Sequence, residues 1–271
     1  MEIFHRATSA SPRLRRARKS LGQHFLMHPR IAERIAKIAE LAPDAVVLEI
    51  GPGTGMLTRA LLQRAGKVIA IEADYELFVK LQTDFADEIA SNRLELIHGD
   101  IRTYPLNHTT VDDSGYALVA NIPYYLTGEI FMMFLTSENQ PRSMTLLVQK
   151  EVAERVARSR KESILSLSVK AYGTPKYEFT VPRGAFRPAP KVDSAVITVS
   201  DISRKNFATR DEEKRFFMLL HSGFAHKRKF VRKNLAEANL PYWDIPEKAR
   251  AEDVSIDQWL AIIKLKSRPL A

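Results

Sequence analysis

The chain has 271 residues, 45% of them apolar and 27% charged, with a net charge of +9 and no cysteine. That length gives one large domain or two smaller ones with room for a sizeable core. The composition excludes disulfides, thiolate catalysis and cysteine-ligated metals. No run of about 18 apolar residues reads as a membrane span, and residues 1–20 hold no sustained apolar stretch of the signal-peptide kind.

Residues 1–18 lack periodicity and read as a flexible arm. Over residues 1–30, seven basic residues (Arg6, Arg13, Arg15, Arg16, Arg18, Lys19 and Arg30) face Glu2 alone. This acid-poor, Arg- and Ser-containing start also describes an organellar transit peptide, although a cytoplasmic protein is the favoured reading. PRIAERIAKIAEL (29–41) has helical spacing with Pro29 suited to a first turn. Candidate strands follow at 45–50, 67–72, 94–98, 116–121 and 143–149, alternating with candidate helices near 55–65, 75–90, 128–137 and 150–158. The first strands are continuous apolar runs, as expected when both sheet faces are covered. Strand–helix alternation predicts a parallel sheet with right-handed crossovers. SILSLSVKAY (163–172) reads as a further helix, and 176–181 with 194–200 as a closing antiparallel pair. Beyond Ser200 the pattern turns helical: EEKRFFMLLHSGFA, KRKFVRKNLAEA and SIDQWLAIIKL. A boundary near 202 divides the chain into a basic N-terminal segment (1–28), an α/β domain (29–202) and a helical domain (203–271). Residues 204–233 carry ten cations against Asp211, Glu212 and Glu213. Basic segments at both ends of a mildly acidic body suggest a polyanionic partner; a solvated arm and helix face are the plainer alternative.

The first strand runs into EIGPGTGMLT (49–58). Gly51, Gly53 and Gly55 permit positive φ and close backbone approach to a ligand, at the position where dinucleotide-binding folds hold theirs. The spacing is G-x-G-x-G, so the dinucleotide fingerprint is only partly met, and no G-K-[ST] follows. Glu72 ends the second strand, 21 residues after Gly51, where a carboxylate accepts hydrogen bonds from a ribose diol. Asp100, after the third strand, can accept from an adenine amine. These features leave a nicotinamide cofactor open.

The fourth strand ends in NIPYYLT (121–127). Chemistry on a base edge needs the base outside its stack, with an acceptor for the exocyclic amine and a π surface for the ring. Asn121 offers an amide carbonyl. Pro123 has no N–H, so the Asn121 and Ile122 carbonyls can point into a pocket. Tyr124 offers the stacking face. Hydrogen bonds from an adenine N6–H to Asn121 and the Ile122 carbonyl would localise the amine lone pair, so catalysis would rest on positioning rather than on a strong base.

Together, KSLGQHFL (19–26), LEIGPGTGMLT (48–58), IEAD (71–74), GDIRTY (99–104), NIPYYLT, FRPAPKVDSAV (186–196) and FAHKRKFVRKNL (224–235) resemble the ribosomal RNA adenine N6,N6-dimethyltransferase family, in particular its small-subunit rRNA branch. The resemblance implies a Rossmann-like class I methyltransferase sheet, mostly parallel and seven-stranded, with a small C-terminal all-α domain. It implies S-adenosylmethionine as methyl donor, S-adenosylhomocysteine as product, and no metal. In such enzymes the GQHFL segment folds over the cofactor, placing His24 and Leu26 beside it. Many members carry Asn where this chain has His24, a change that a backbone contact would survive. Gly51 would approach the methionine part, Glu72 the ribose, and Asp100 with Ile101 the adenine, with Gly53 also at the cofactor. Asn121 is shared between cofactor and target. Catalysis would fall to Asn121, Ile122 and Tyr124, with Phe186 stacking on the other face of the target adenine. Lys227, Arg228, Lys229, Arg232 and Lys233, read as one helix, would contact RNA phosphates, as would Arg15, Arg16 and Arg18 in the arm.

The implied substrate is two adjacent adenosines in the 3′-terminal hairpin loop of small-subunit rRNA, within a pre-assembled subunit, acted on by a monomer with no membrane attachment. Two other readings stand beside it. One is the large-subunit methyltransferase branch of the macrolide-resistance type. The other is a non-catalytic RNA-binding assembly or transcription factor, against which the intact glycines, Glu72, Asn121 and Tyr124 argue.

Overall fold

A computed structural model describes residues 23–104, 115–242 and 245–264. Seven strands form one sheet: β2 (Val46–Ile50), β3 (Lys67–Glu72), β4 (Leu94–His98), β5 (Tyr116–Asn121), β6 (Ser143–Gln149), β7 (Thr174–Val181) and β9 (Ser194–Ser200). Their spatial order is β4-β3-β2-β5-β6-β9-β7. The first five are parallel to their neighbours, whereas β9 runs antiparallel to both β6 and β7. The expected mostly parallel, seven-stranded sheet with a closing antiparallel pair is therefore present.

The apolar runs explain why the sheet is buried on both faces. Side chains alternate along a strand, and Leu48, Ile69, Leu118 and Leu146 lie in one core cluster while Val47, Val68, Val119 and Leu147 lie in the other. Helices α1 (Pro29–Ile38) and α2 (Met56–Leu62) supply much of the second cluster. Helices α5 (Thr127–Leu135), α6 (Lys150–Ala157) and α7 (Ile164–Tyr172) cover the opposite face. Past Ser200 the described residues form only helical elements and turns: α8 (Arg210–Gly223), α9 (Val231–Glu237) and α10 (Ile256–Lys264). Phe216, Leu219 and Trp259 of this segment join the sheet's first core cluster.

Three local features differ from the sequence reading. The helix expected over 75–90 is two, α3 (Tyr75–Asp84) and α4 (Ala86–Ala90), broken at Phe85. Phe85 is buried against the glycine loop, where a Cβ on Gly55 would lie 2.5 Å from its ring. The KRKFVRKNLAEA helix begins only at Val231, so Lys227, Arg228 and Lys229 occupy the turn before it. A two-residue strand, β1 (Phe25–Leu26), pairs antiparallel with β8 (Phe186–Arg187), tying the GQHFL segment to the FRPAP segment.

Topology fixes where a ligand can sit. The chain leaves β2 toward β3 on one side and returns in β5 on the other, so a crevice opens at the carboxyl ends of these two strands. Gly51 follows β2 and Asn121 ends β5.

Candidate active site

Every cofactor residue expected from the sequence, from His24 to Asn121, lines one cavity at this crevice, together with Ile122 and Tyr124. The cavity measures about 1040 Å³ with its open mouth and adjoining solvent included.

Its floor is the glycine loop. Gly51, Gly53 and Gly55 take φ of +64°, +61° and +76°, conformations that L side chains rarely adopt. A Cβ on Gly51 would meet nothing within 4 Å, so this glycine borders open space. Gly53 donates its N–H to Glu72 Oε2 at 2.9 Å, and the Asp74 N–H donates to Oε1 at 2.9 Å. Glu72 is 4% exposed, and burial raises its pKa. A carboxylate has about four acceptor positions, so these backbone bonds orient Glu72 without filling all of them.

Asp100 sits at the end of β4, and its neighbour Ile101 is buried. Arg102 holds the Asp100 carboxylate through Nε at 3.0 and 3.1 Å and through its backbone N–H at 3.0 Å. Those bonds keep Asp100 below its usual pKa. The sequence signal for this pair is the i,i+2 spacing of acid and base in GDIRTY.

The opposite wall is the NIPYYL segment. Asn121 Nδ2 donates to the His24 carbonyl at 3.0 Å, and no hydrogen bond occupies its Oδ1 among the described residues. Tyr124 shares a 2.7 Å hydrogen bond with Ser194 and stacks on the His24 ring at 5.6 Å. Asn121 therefore engages His24 through its backbone, and the ring of His24 contacts Tyr124 instead.

Phe186 is the one expected catalytic residue that this structure does not bring to the cavity lining. It is 2% exposed, belongs to the second core cluster and does not line the cavity. The β1–β8 register explains this. Leu26 pairs with Phe186 and both are buried, whereas Phe25 pairs with Arg187 and both face outward or toward the cavity. In this structure Phe186 thus packs in the core beside Leu26.

Glu49 was missed. It is 1% exposed on the cavity wall, and one carboxyl oxygen has no hydrogen-bond partner among the described residues. Burial, reinforced by the charge of Glu72, pushes its carboxyl up to about 8. The sequence signal was a lone acid within the apolar run VVLEI.

The basic cluster lies apart from the cavity lining. Lys227, Arg228, Lys229 and Lys233 are exposed. Lys229 pairs with Glu237 at 2.8 Å, and Arg232 donates to the Ile245 carbonyl at 2.6 Å. Buried Asn234 anchors the turn by donating to the Gly223 carbonyl at 2.6 Å and the His226 carbonyl at 3.2 Å. Arg15, Arg16 and Arg18 lie outside the described residues. No helix among the described residues is long and apolar enough to cross a membrane.

A glycine loop, a buried carboxylate at the end of the next strand and an amide–aromatic wall on this strand order define an α/β methyltransferase of the Rossmann-like kind. Residues 14–268 match the family model for ribosomal RNA adenine dimethylase. A ribosomal RNA small subunit methyltransferase A from Dehalococcoides mccartyi is 39% identical over 90% of this chain and 86% of its own length. A protein of the same name from Geobacillus thermodenitrificans is 37% identical over 89% and 82%. Among solved structures, the 23S rRNA methyltransferase ErmE superposes with a TM-score of 0.72 at 26% identity, covering 89% of this chain and 98% of that one. A dimethyladenosine transferase from Plasmodium falciparum does so with a TM-score of 0.72 at 26% identity, covering 88% and 96%. The chain belongs to the ribosomal RNA adenine dimethylase family.

Proposed function

We propose that the protein transfers methyl groups from S-adenosylmethionine to N6 of two adjacent adenosines in the 3′-terminal hairpin loop of small-subunit rRNA, giving N6,N6-dimethyladenosine at each. The observation that carries this reading is the meeting of Asn121 and Tyr124 with Glu72 and Gly51 in a single cavity. The relatives named for the small subunit, 37–39% identical over about nine-tenths of this chain, support that branch.

The residues fit the donor. The open space beside Gly51 admits its methionine part, Glu72 presents its oriented carboxylate for the ribose hydroxyls, and Ile101 offers an apolar face for the adenine beside the Arg102-held Asp100. S-adenosylmethionine supplies a methyl group on a positively charged sulfur and leaves as S-adenosylhomocysteine. The chain's own task is alignment. Asn121, fixed through Nδ2, keeps Oδ1 for an N6–H, and the Ile122 carbonyl takes the other. Accepting both protons pulls the nitrogen toward tetrahedral geometry and directs its lone pair to the methyl group. Tyr124, held by Ser194 and His24, fixes the ring. The nitrogen's spare proton passes to water, so no strong base is needed. After one transfer a single N6–H remains to be held, which permits the second.

Residues 203–271 act as the RNA-binding part, with Lys227, Arg228 and Lys233 offering unpaired charge and the Arg15–Arg18 arm adding more. The protein works as a monomer in the cytoplasm, on a pre-assembled small subunit. The test is transfer of labelled methyl groups to small subunits lacking the modification, with nucleosides identified by mass spectrometry. Dimethyladenosine at two adjacent sites is expected. Label appearing only in large-subunit rRNA would move the protein to the other branch.

A further inference from the structure

The NIPYYL segment carries a second tyrosine that the alignment mechanism leaves unused. Tyr124–Leu126 form a single 3-10 turn, in which successive side chains diverge by about 120°. Tyr124 turns to Ser194, Leu126 enters the core, and Tyr125 points out, 58% exposed on the rim of the same cavity. A large aromatic ring left in water beside a binding cavity suggests a ligand that covers it.

The charges around it select the ligand chemistry. Arg102 lies close enough to Tyr125 and Glu129 to feel both electrostatically. Its guanidinium, however, is committed to Asp100 at 3.0 and 3.1 Å. With Asp100 and Glu129 set against one arginine, this rim offers a phosphate no net attraction. What it offers a nucleic acid is a π face, which accepts any base. Drawing an adenine out of its strand leaves the neighbouring base unstacked on one side, and a ring at the cavity mouth can replace the lost partner.

We propose that Tyr125 is the stacking platform for the base next to the extruded adenine, a positioning residue that acts on RNA and not on the methyl donor. Since the two targets are adjacent, that base is the other target adenosine in one of the two methylation registers. The inference rests on the rRNA-methylating reading above.

The experiment measures initial rates of methyl transfer to unmodified small subunits by wild type, Tyr125→Ala and Tyr125→Phe, with donor affinity by calorimetry and RNA binding across a salt series. For the alanine variant KM for the subunit is expected to rise roughly tenfold or more, with kcat falling less than KM rises. Phenylalanine is expected to restore KM. Donor affinity and the salt slope are expected to stay at wild-type values. An unchanged KM in Tyr125→Ala overturns the proposal. So does weakened donor binding, which would make the ring a cofactor cover, or a flatter salt slope, which would signal a phosphate contact. Phenylalanine failing as badly as alanine would replace stacking with a hydroxyl role. If wild type itself transfers no methyl to rRNA, the underlying reading fails, and that is seen before any variant is compared.

Discussion

The glycine loop at 51–55 and the basic turn at 226–230 are both short connections that lead into a helix, yet they are built by opposite means. The first is enclosed: three glycines at positive φ, a buried carboxylate fixed by two backbone N–H groups, and Phe85 packed against Gly55. The second is open, with exposed cations on a backbone anchored from beneath by Asn234. Shape recognises one small molecule and tolerates little change. Charge recognises any polyanion, and its contributions are shared among several side chains, so single losses there should be mild.

The largest effect is expected at Asn121. Asn121→Ala removes the Oδ1 acceptor and should lower methyl transfer by about 10²-fold or more, while calorimetry still detects donor binding. Full activity in this variant would refute amine alignment. Next is Gly55→Ala, which forces a side chain into φ +76° with its Cβ 2.5 Å from Phe85. Strain and overpacking together cost about 2–3 kcal/mol, so the melting temperature should fall by roughly 4–5 °C. Lys227→Ala should leave it unchanged. Equal shifts from the two variants would erase the distinction between an enclosed loop and an open one.

Glu49 sharpens the same contrast through pH. Its folded-state pKa, about 8 against an ordinary 4.5, means that the folded protein holds a proton there that the unfolded chain has already lost. Stability from this group is full below about pH 4.5 and is lost as pH rises through about 8. Glu49→Gln should remove that loss. Its melting temperature, close to wild type at pH 5, should exceed wild type at pH 8.5, measured without donor. A parallel pH profile for the two proteins would show that Glu49 ionises freely.

How much of this was legible depends on whether the signal was local. Continuous apolar runs announced strands buried on both faces, and the glycine spacing with Glu72 and NIPYY identified the cavity residues before any fold was in view. What stayed hidden depends on contacts between distant segments. The break at Phe85 comes from its packing on Gly55, 30 residues earlier. β1 exists only because residues 186–187 pair with it. That pairing also buries Phe186, which by its motif looked like a base-stacking ring. Lys227–Lys229 read as helix because lysine and arginine favour helices, yet Asn234 claims the Gly223 and His226 carbonyls and holds these residues in a turn.

The smallest effects are expected within the basic cluster, and they should be unequal. Lys227, Arg228 and Lys233 stand exposed, whereas Lys229 already pairs with Glu237 and Arg232 already donates to the Ile245 carbonyl. A cation that neutralises a phosphate releases a counterion, and each such contact adds about 0.7–0.9 to the slope of log affinity against log salt. Lys227→Ala, Arg228→Ala and Lys233→Ala should each lower that slope by about this amount. Lys229→Ala should lower it less, since Glu237 competes with any phosphate. Arg232→Ala should leave the slope nearly unchanged and act on stability, because its guanidinium links α9 to the segment around Ile245. Equal slope changes at all five positions would mean that RNA pulls Lys229 and Arg232 out of their intramolecular bonds, and that the turn rearranges as it binds.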